Sequence, residues 1–523
     1  MQFCHAKELE SLINATPNGG VCRLENKEYF LSRRIVIRNK NNITLNGNGA
    51  QIITLYMNND DYQKSADAFL VENCKNIVLK NFTLQTNIPA NVTAIVEKII
   101  LEENALLLRV DKKFSIRGDE VLMAITSVDE ENSTDNLVHL YALHHDPNIV
   151  TLIQNEILLA NTYASADYDY LGDNLFKVKF PINNNSPKRA RLGAKVCIRH
   201  TVYGSSAITL KNADDTLLNN ITIYSTPGMG VMVLTRCHNL TIDGLRMIKR
   251  DGDGTLMSCN CDGLHVTGLT GKLVLKNSIF EGLGDDALNI HSTAVTATSV
   301  DIKNSRIKCN YCKKRPDGLL PPDWCRAGDI IYFYDPQKTT YKGQFTVTEF
   351  LDGVASFNGL LGEIKDGYIL QNTAYTASCE IDNCTIKNTR ARAFLLQTNN
   401  VEIKNCTFFG QTDSAIKASP DLDYWYEVGP IDGLYIHHNH FVKNGFAVNT
   451  STIALHTTHH RGNNPSVFGL HKNIRIENNV FERATNHCIE LHATDNVSIQ
   501  DNLFPKENEQ PILLSNCRNI KGI

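Results

Sequence analysis

The sequence predicts an all-β chain: a parallel β-helix interrupted by two small inserted β-barrel-like domains. Three observations carry this. A nine-residue phrase of the form N-[IVL]-x-[IL]-x-N-x-x-[FIL] returns along most of the chain. Several neighbouring copies start 22 to 27 residues apart. Two long stretches, 85–200 and 308–377, break that period.

The phrase is clear at Asn76-Ile-Val-Leu-Lys-Asn-Phe-Thr-Leu84, Asp215–Ile223, Asn239–Met247, Lys272–Phe280 and Ser299–Ile307. It resumes at Ser378–Ile386, Asn400–Phe408, Gly433–Phe441, Asn473–Phe481 and Asn496–Phe504. Each copy alternates apolar and polar residues and then turns at Asn, Asp or Gly, which reads as strand, tight corner, strand. A strand-only repeat in the low twenties is a β-solenoid, and the Leu-rich frame of leucine-rich repeats is absent. Asn and Cys at equivalent corners would stack from coil to coil. That explains Asn81, Asn239 and Asn405 more simply than glycosylation does, although all three match N-x-[ST].

The domain reading follows in order. Residues 1–84 are an N-terminal cap and the first coils, with Ala6–Asn14 spaced as an amphipathic helix that covers the open end. Residues 85–200 hold alternating runs such as Ala105–Val110 and Leu175–Phe180, expected to form an inserted antiparallel module. Residues 201–307 are catalytic coils, 308–377 a second inserted β domain, and 378–523 the C-terminal coils.

Composition narrows the function classes. The chain has 523 residues and a formal net charge of −4, so no global basic field points to nucleic acid or anionic membrane. No apolar run approaches the roughly 18 residues of a spanning helix. The first residues lack a basic segment followed by an apolar one, which gives a cytoplasmic expectation, with a trimmed secreted form as the alternative. Fifteen cysteines, mostly isolated, read as buried thiols of a reducing compartment. Cys309-x-x-Cys312 with Cys325 has a partial zinc pattern that lacks an obvious fourth ligand.

The densest chemistry lies at Cys259-Asn-Cys-Asp262-Gly-Leu-His265 and Gly284-Asp285-Asp286-Ala-Leu-Asn289-Ile-His291. Asp262 precedes Asp285 by 23 residues, about one coil, so it is expected roughly 5 Å away on the adjacent rung. Clustered carboxylates repel, and at least one should hold its proton near neutrality. A protonated acid beside ionised bases suits glycosidic cleavage, with acid and base about 6.5–9.5 Å apart if water attacks directly. Turn-capping Asp residues and an oxygen-ligated calcium site are the competing readings.

At these residues the chain resembles glycoside hydrolase family 110, the α-1,3-galactosidases. Further segments extend the resemblance: Ile198-Arg-His200-Thr-Val-Tyr203-Gly, Ile223–Val231, Asn388-Thr-Arg390-Ala-Arg392-Ala-Phe394 and Asp423-Tyr-Trp425-Tyr-Glu427-Val-Gly429-Pro. Ser292 stands where Gly is expected, and the corner 251–261 is longer and richer in Gly and Cys. The resemblance implies a right-handed β-helix with two barrel insertions and an inverting exo-enzyme that releases terminal α-1,3-linked galactose. It implies Asp285 as general acid and Asp262 with Asp286 as the base pair. The sugar-binding set would be His200, Tyr203, His265, Asn289, His291, Arg390, Arg392, Trp425 and Glu427. Arg forks hold hydroxyls, and an aromatic face stacks on the sugar. No metal or organic cofactor is expected. The partner would be a galactose-terminated glycan, with no nucleic acid or membrane, and a homodimer is compatible with the sequence. A polygalacturonase-like enzyme on another sugar and a non-catalytic glycan-binding β-helix are the alternatives.

Overall fold

A computed structural model describes residues 5–55, 68–114, 124–128, 168–180, 186–190, 192–199, 204–234, 236–310, 324–336, 340–359, 362–422, 425–446, 450–456, 470–484 and 486–523. Its body is a parallel β-helix. The inward residues of the repeated phrase form one aliphatic column. Leu45, Leu79, Leu218, Ile242, Leu275, Ile381, Ile403, Ile436, Ile476 and Ile499 follow each other in register, coil by coil. All ten are buried, because strand alternation turns every second side chain into the coil.

The corners follow the expected chemistry. Asn76, Asn81, Asn220, Asn277, Asn383, Asn473 and Asn496 all have left-handed backbone, φ 51° to 61°, which Asn tolerates better than most residues. Their amides bond between coils: Asn220 Nδ2 donates to Asn81 Oδ1 at 2.8 Å and Asn383 Nδ2 to Asn277 Oδ1 at 2.8 Å. A second column lies inside the next corner. Cys384 N donates to Cys406 Sγ at 3.4 Å, Cys406 N to Asn439 Oδ1 at 2.9 Å, and Asn439 N to Asn479 Oδ1 at 3.0 Å. Beside it the rings of Phe408, Phe441 and Phe481 stack 4.8 Å apart. Phe441→Ala removes the middle ring, and we expect it to cost about 3–5 kcal/mol in denaturant unfolding of the full chain. A cost below about 1 kcal/mol would show that the stack relaxes around the gap.

The N-terminal helix Ala6–Ala15 buries Ala6, Leu9 and Ile13 against the first coils. The first insertion is an antiparallel sheet of six strands. They run in the order Ala124–Val128, Lys195–Arg199, Asn91–Ile100, Ala105–Val110, Leu175–Lys179, Tyr168–Gly172. Among the described residues these strands pair as an open sheet rather than a ring.

The second insertion does close. Leu288–Asp301 pairs with Arg306–Asn310, which pairs with Val354–Phe357, then Thr340–Leu351, Ile330–Asp335 and Ile369–Asn372, which returns to Leu288–Asp301. This antiparallel ring has its own core, with Phe333, Trp324 and Leu370 fully buried. It also shifts a boundary. The phrase Ser299–Ile307, read from sequence as a helix coil, lies in the barrel, which therefore starts well before residue 308. Leu288–Asp301 serves both units: Leu288–His291 stacks in the parallel ladder, and Ala294–Asp301 pairs antiparallel. Alternating residues fit either partner, so the period alone cannot place the switch.

Candidate active site

The chemical residues sit where the corner before one parallel ladder meets both insertions. That ladder runs Val231–Val233, Leu264–Val266, Leu288–His291, Phe394–Gln397, Ile416–Ala418 and Ile453–Leu455. Leu264, Leu288 and Phe394 point inward and are fully buried. His265 and Asn289, one position on, therefore lie on the outer face in register with each other.

Register fixes the triad. Leu264 pairs with Leu288, so the residue beside Asp262 on the next coil is Asp286, not Asp285 as the 23-residue spacing suggested. Asp286 N donates to Asp262 Oδ1 at 3.0 Å. Leu288 pairs in turn with Phe394, which sets Arg392 beside Asp286. Gly284 is required here, since a Cβ would lie 2.2 Å from the carbonyl oxygen of Asn260. One oxygen from each of Asp262, Asp285 and Asp286 lies within 4.8 Å of the others. The expected 6.5–9.5 Å gap is therefore not present within the triad, because the coil spacing itself draws the three together.

Each carboxyl has a different environment. Both oxygens of Asp286 are taken by Arg392: its backbone N–H donates to Oδ1 at 2.8 Å and its guanidinium to Oδ2 at 2.6 Å. Burial, with the charges of Asp285 and Asp262, still pushes Asp286 well above the usual carboxylate range. Asp262 Oδ2 lies 2.5 Å from His265 Nδ1. Burial, with Asp285 and Glu427 nearby, pushes Asp262 up as well. Asp285 is the most open, its side chain 24% exposed against 7% for Asp262 and 1% for Asp286. Burial would raise it, but Arg390, 2.6 Å away, together with Arg392 and Arg199, outweighs that and holds it below its ordinary range. Access and charge thus single out different carboxyls. The most open one is held low by its arginines, and the recessed two are pushed up by burial.

A second cluster adjoins. Asn289 Nδ2 donates to Glu427 Oε2 at 3.1 Å, and His291 Nε2 lies 3.6 Å from Glu427 Oε1 and 3.4 Å from His265 Nε2. Glu427 arrives on a short strand, Glu427–Val428, that pairs antiparallel with Ser292 and Thr293. Trp425, two residues earlier, is 40% exposed and so is not a core plug; the other tryptophan, Trp324, is buried in the barrel. His200 and Tyr203 lie outside the described residues, as does Cys312. Cys309 and Cys325 are both buried in the barrel core.

Three residues of the site were not singled out from sequence. Arg199, at the end of a strand of the first insertion, donates through one guanidinium nitrogen to Asn260 O at 2.9 Å and to Gly284 O at 3.4 Å. It braces the two corners that carry the triad. Its signal was present, next to His200 in a quoted segment, but a buried Arg cannot be told from a surface one by type alone. Asp413 and Lys417, 3.2 Å apart, extend the charge network, with Asp413 Oδ2 3.9 Å from Arg392. Asp413 occupies the corner position of Asp285 two coils on, which the register of the ladder reveals.

Residues 367–521 match the family model described as a right handed beta helix region. An α-1,3-galactosidase B of Bacteroides thetaiotaomicron is 25% identical over 78% of this chain. The match spans 64% of that relative, less than two thirds of its length. An α-1,3-galactosidase A of Bacteroides fragilis is 20% identical over 94% of this chain and 80% of its own. Among solved structures, a mannuronan C-5 epimerase A-module of Azotobacter vinelandii aligns with 12% identity, 100% of this chain, 96% of its own and a TM-score of 0.43.

The chain is a right-handed parallel β-helix protein with a carboxyl triad, two members buried and Asp285 partly open, at one line of corners. Within that class it is similar to the α-1,3-galactosidases, in line with its resemblance to glycoside hydrolase family 110.

Proposed function

We propose that this protein is a glycoside hydrolase that removes terminal α-1,3-linked galactose from a glycan, with inversion at the anomeric carbon. The observation that carries the reading is the triad itself. Three carboxyls share one corner with Arg390 and Arg392, which leaves one proton in reserve beside ionised groups. The relatives' names supply the sugar and the linkage.

The roles follow from access. Asp285, the most open carboxyl, reaches the leaving oxygen and delivers the proton. Arg390, with Arg392 and Arg199, holds it low in the free protein, so the acid role requires Arg390 to turn its fork to sugar hydroxyls on binding and a proton from the recessed pair to pass to Asp285. Once that proton has passed to Asp285, Asp262 and Asp286 hold the attacking water, and the ionised member of the pair takes its proton. Each of their oxygens already has a partner, so neither presents a free oxygen for covalent attack on the sugar, while the remaining lone pairs still accept from water. This argument favours inversion even though the oxygen spacing is closer to the roughly 5–5.5 Å of retaining pairs. Trp425 stacks on the sugar ring, and Asn289 and Glu427 fix hydroxyls.

The test is hydrolysis of an α-1,3-galactosyl disaccharide, followed by NMR of the nascent galactose. β-Galactose is expected. α-Galactose would overturn inversion and the roles just given. No turnover on α-1,3-, α-1,4- or α-1,6-galactosides would remove galactose as the substrate.

A further inference from the structure

We propose that Ser292 and Trp324 are positioning residues: they tie the strand that carries Glu427 to the second barrel. The inference rests on the reading of Glu427 as a sugar-binding group. Leu288–Asp301 leaves the parallel ladder after His291 and joins the barrel at Ala294. Ser292 and Thr293 lie between, and these two pair with Val428 and Glu427. Ala294 N closes the crossing by donating to Tyr426 O at 2.9 Å. The strand Glu427–Val428 is two residues long, too short a ladder to hold its own place.

The barrel grips both residues that this strand pairs with. Ser292 is fully buried, and its Oγ donates to Asn372 O at 2.8 Å. Trp324 Nε1 donates to Thr293 O at 3.0 Å from the barrel core. Ser292 stands where Gly is expected, and a Gly would lack the first of these bonds.

The anchors are themselves fixed. Asn372 Nδ2 donates to Trp324 O at 2.9 Å and to Asp329 Oδ2 at 2.8 Å, and Asn372 Oδ1 accepts from Ala374 N at 2.9 Å. One buried side chain thus joins the strand that receives Ser292 to the segment that carries Trp324. Asp329 Oδ2 also accepts from Arg236 Nη2 at 2.7 Å, and Arg236 directly precedes Cys237–Met247 of the β-helix. The side chains of this pair are only 8% and 10% exposed, so salt screens it less than a surface pair. The barrel is therefore clamped to the helix body at Arg236–Asp329, and it passes its position to Ser292 and Thr293. Glu427 is then located twice: by its backbone on the barrel-held strand, and by Asn289 Nδ2, which donates to Oε2 at 3.1 Å from the ladder. A carboxylate accepts from a sugar hydroxyl only within about 2.5–3.0 Å, so slack in that backbone appears as lost affinity.

The test is a double-mutant cycle in the full chain, read as kcat and KM on an α-1,3-galactosyl disaccharide. Ser292→Ala and Trp324→Phe each remove one donor and keep most of the side chain. We expect each to raise KM about 5–20-fold, with kcat held within about threefold. In a Glu427→Gln background the same substitutions should add less than about twofold, because they act through that carboxyl. A merely structural role gives a lower Tm with KM unmoved, or the same KM factor in both backgrounds, and either result overturns the proposal. Ser292→Ala removes a single oxygen, so it reports even if Trp324→Phe fails to fold. A parent chain with no turnover on any galactoside removes the sugar reading and this proposal together. An active parent with equal factors in both backgrounds removes the proposal alone.

Discussion

Asp285→Asn should lower turnover of an α-1,3-galactoside by at least about 10²-fold, yet keep most of its activity on α-galactosyl fluoride. Fluoride departs without a proton, so only the acid becomes dispensable with it. Asp262→Asn and Asp286→Asn should lose at least as much on the disaccharide and gain nothing from the fluoride, because both substrates need the water that these residues hold. The prediction rests on which carboxyl can touch the substrate: Asp285 is 24% exposed, whereas the other two are recessed and fully engaged by neighbours. Rescue by fluoride in Asp262→Asn instead would move the acid to the carboxyl that charge alone favours. Losses below about tenfold for all three variants would return the triad to corner structure. The measurement is steady-state kcat and KM for each variant on both substrates.

Much of this was legible because a β-helix writes its packing into the sequence with little interference. Inward aliphatic residues, corner Asn and the spacing of copies all follow from one coil geometry, and the aliphatic column from Leu45 to Ile499 repeats it. The insertions were visible as breaks in that period. Their edges were not, since Ser299–Ile307 alternates as well in an antiparallel barrel as in a coil. Within the site, residue type found Asp262, Asp285 and Asp286, but one residue of register decided which of them are neighbours. A spacing of 23 and a spacing of 24 look alike in a chain whose copies vary from 22 to 27. Arg199 and Glu427 come from the first insertion and from a crossing strand, so their place depends on tertiary docking that no local pattern encodes. The charge order of the triad was equally hidden, because it is set by which Arg lies against which Asp.

The buried pair Arg392–Asp286 gives the largest expected effect on stability. Asp286 is 1% exposed and takes both of its hydrogen bonds from Arg392. Arg392→Met keeps the backbone donor and much of the side-chain volume but removes the guanidinium. An uncompensated buried carboxylate should then cost about 3–5 kcal/mol near neutral pH. The pH dependence distinguishes lost charge from lost packing. Asp286 is already raised by burial in the parent, and without Arg392 it rises further. A carboxyl with a raised folded pKa gives its full stability below the unfolded value, about 3.9, and loses it as pH climbs through the folded value. The deficit of Arg392→Met should therefore be smallest at acidic pH and grow as pH climbs through the raised folded value in denaturant titrations. Asp285, held low by Arg390, contributes in the opposite sense, but its stability is lost only as pH falls through its lowered pKa, below this window. Adding Asp286→Asn to Arg392→Met should recover most of the loss and flatten the pH profile, since replacing both members of a buried pair is far milder than orphaning one. A deficit independent of pH and untouched by the second substitution would assign Arg392 to packing rather than to charge.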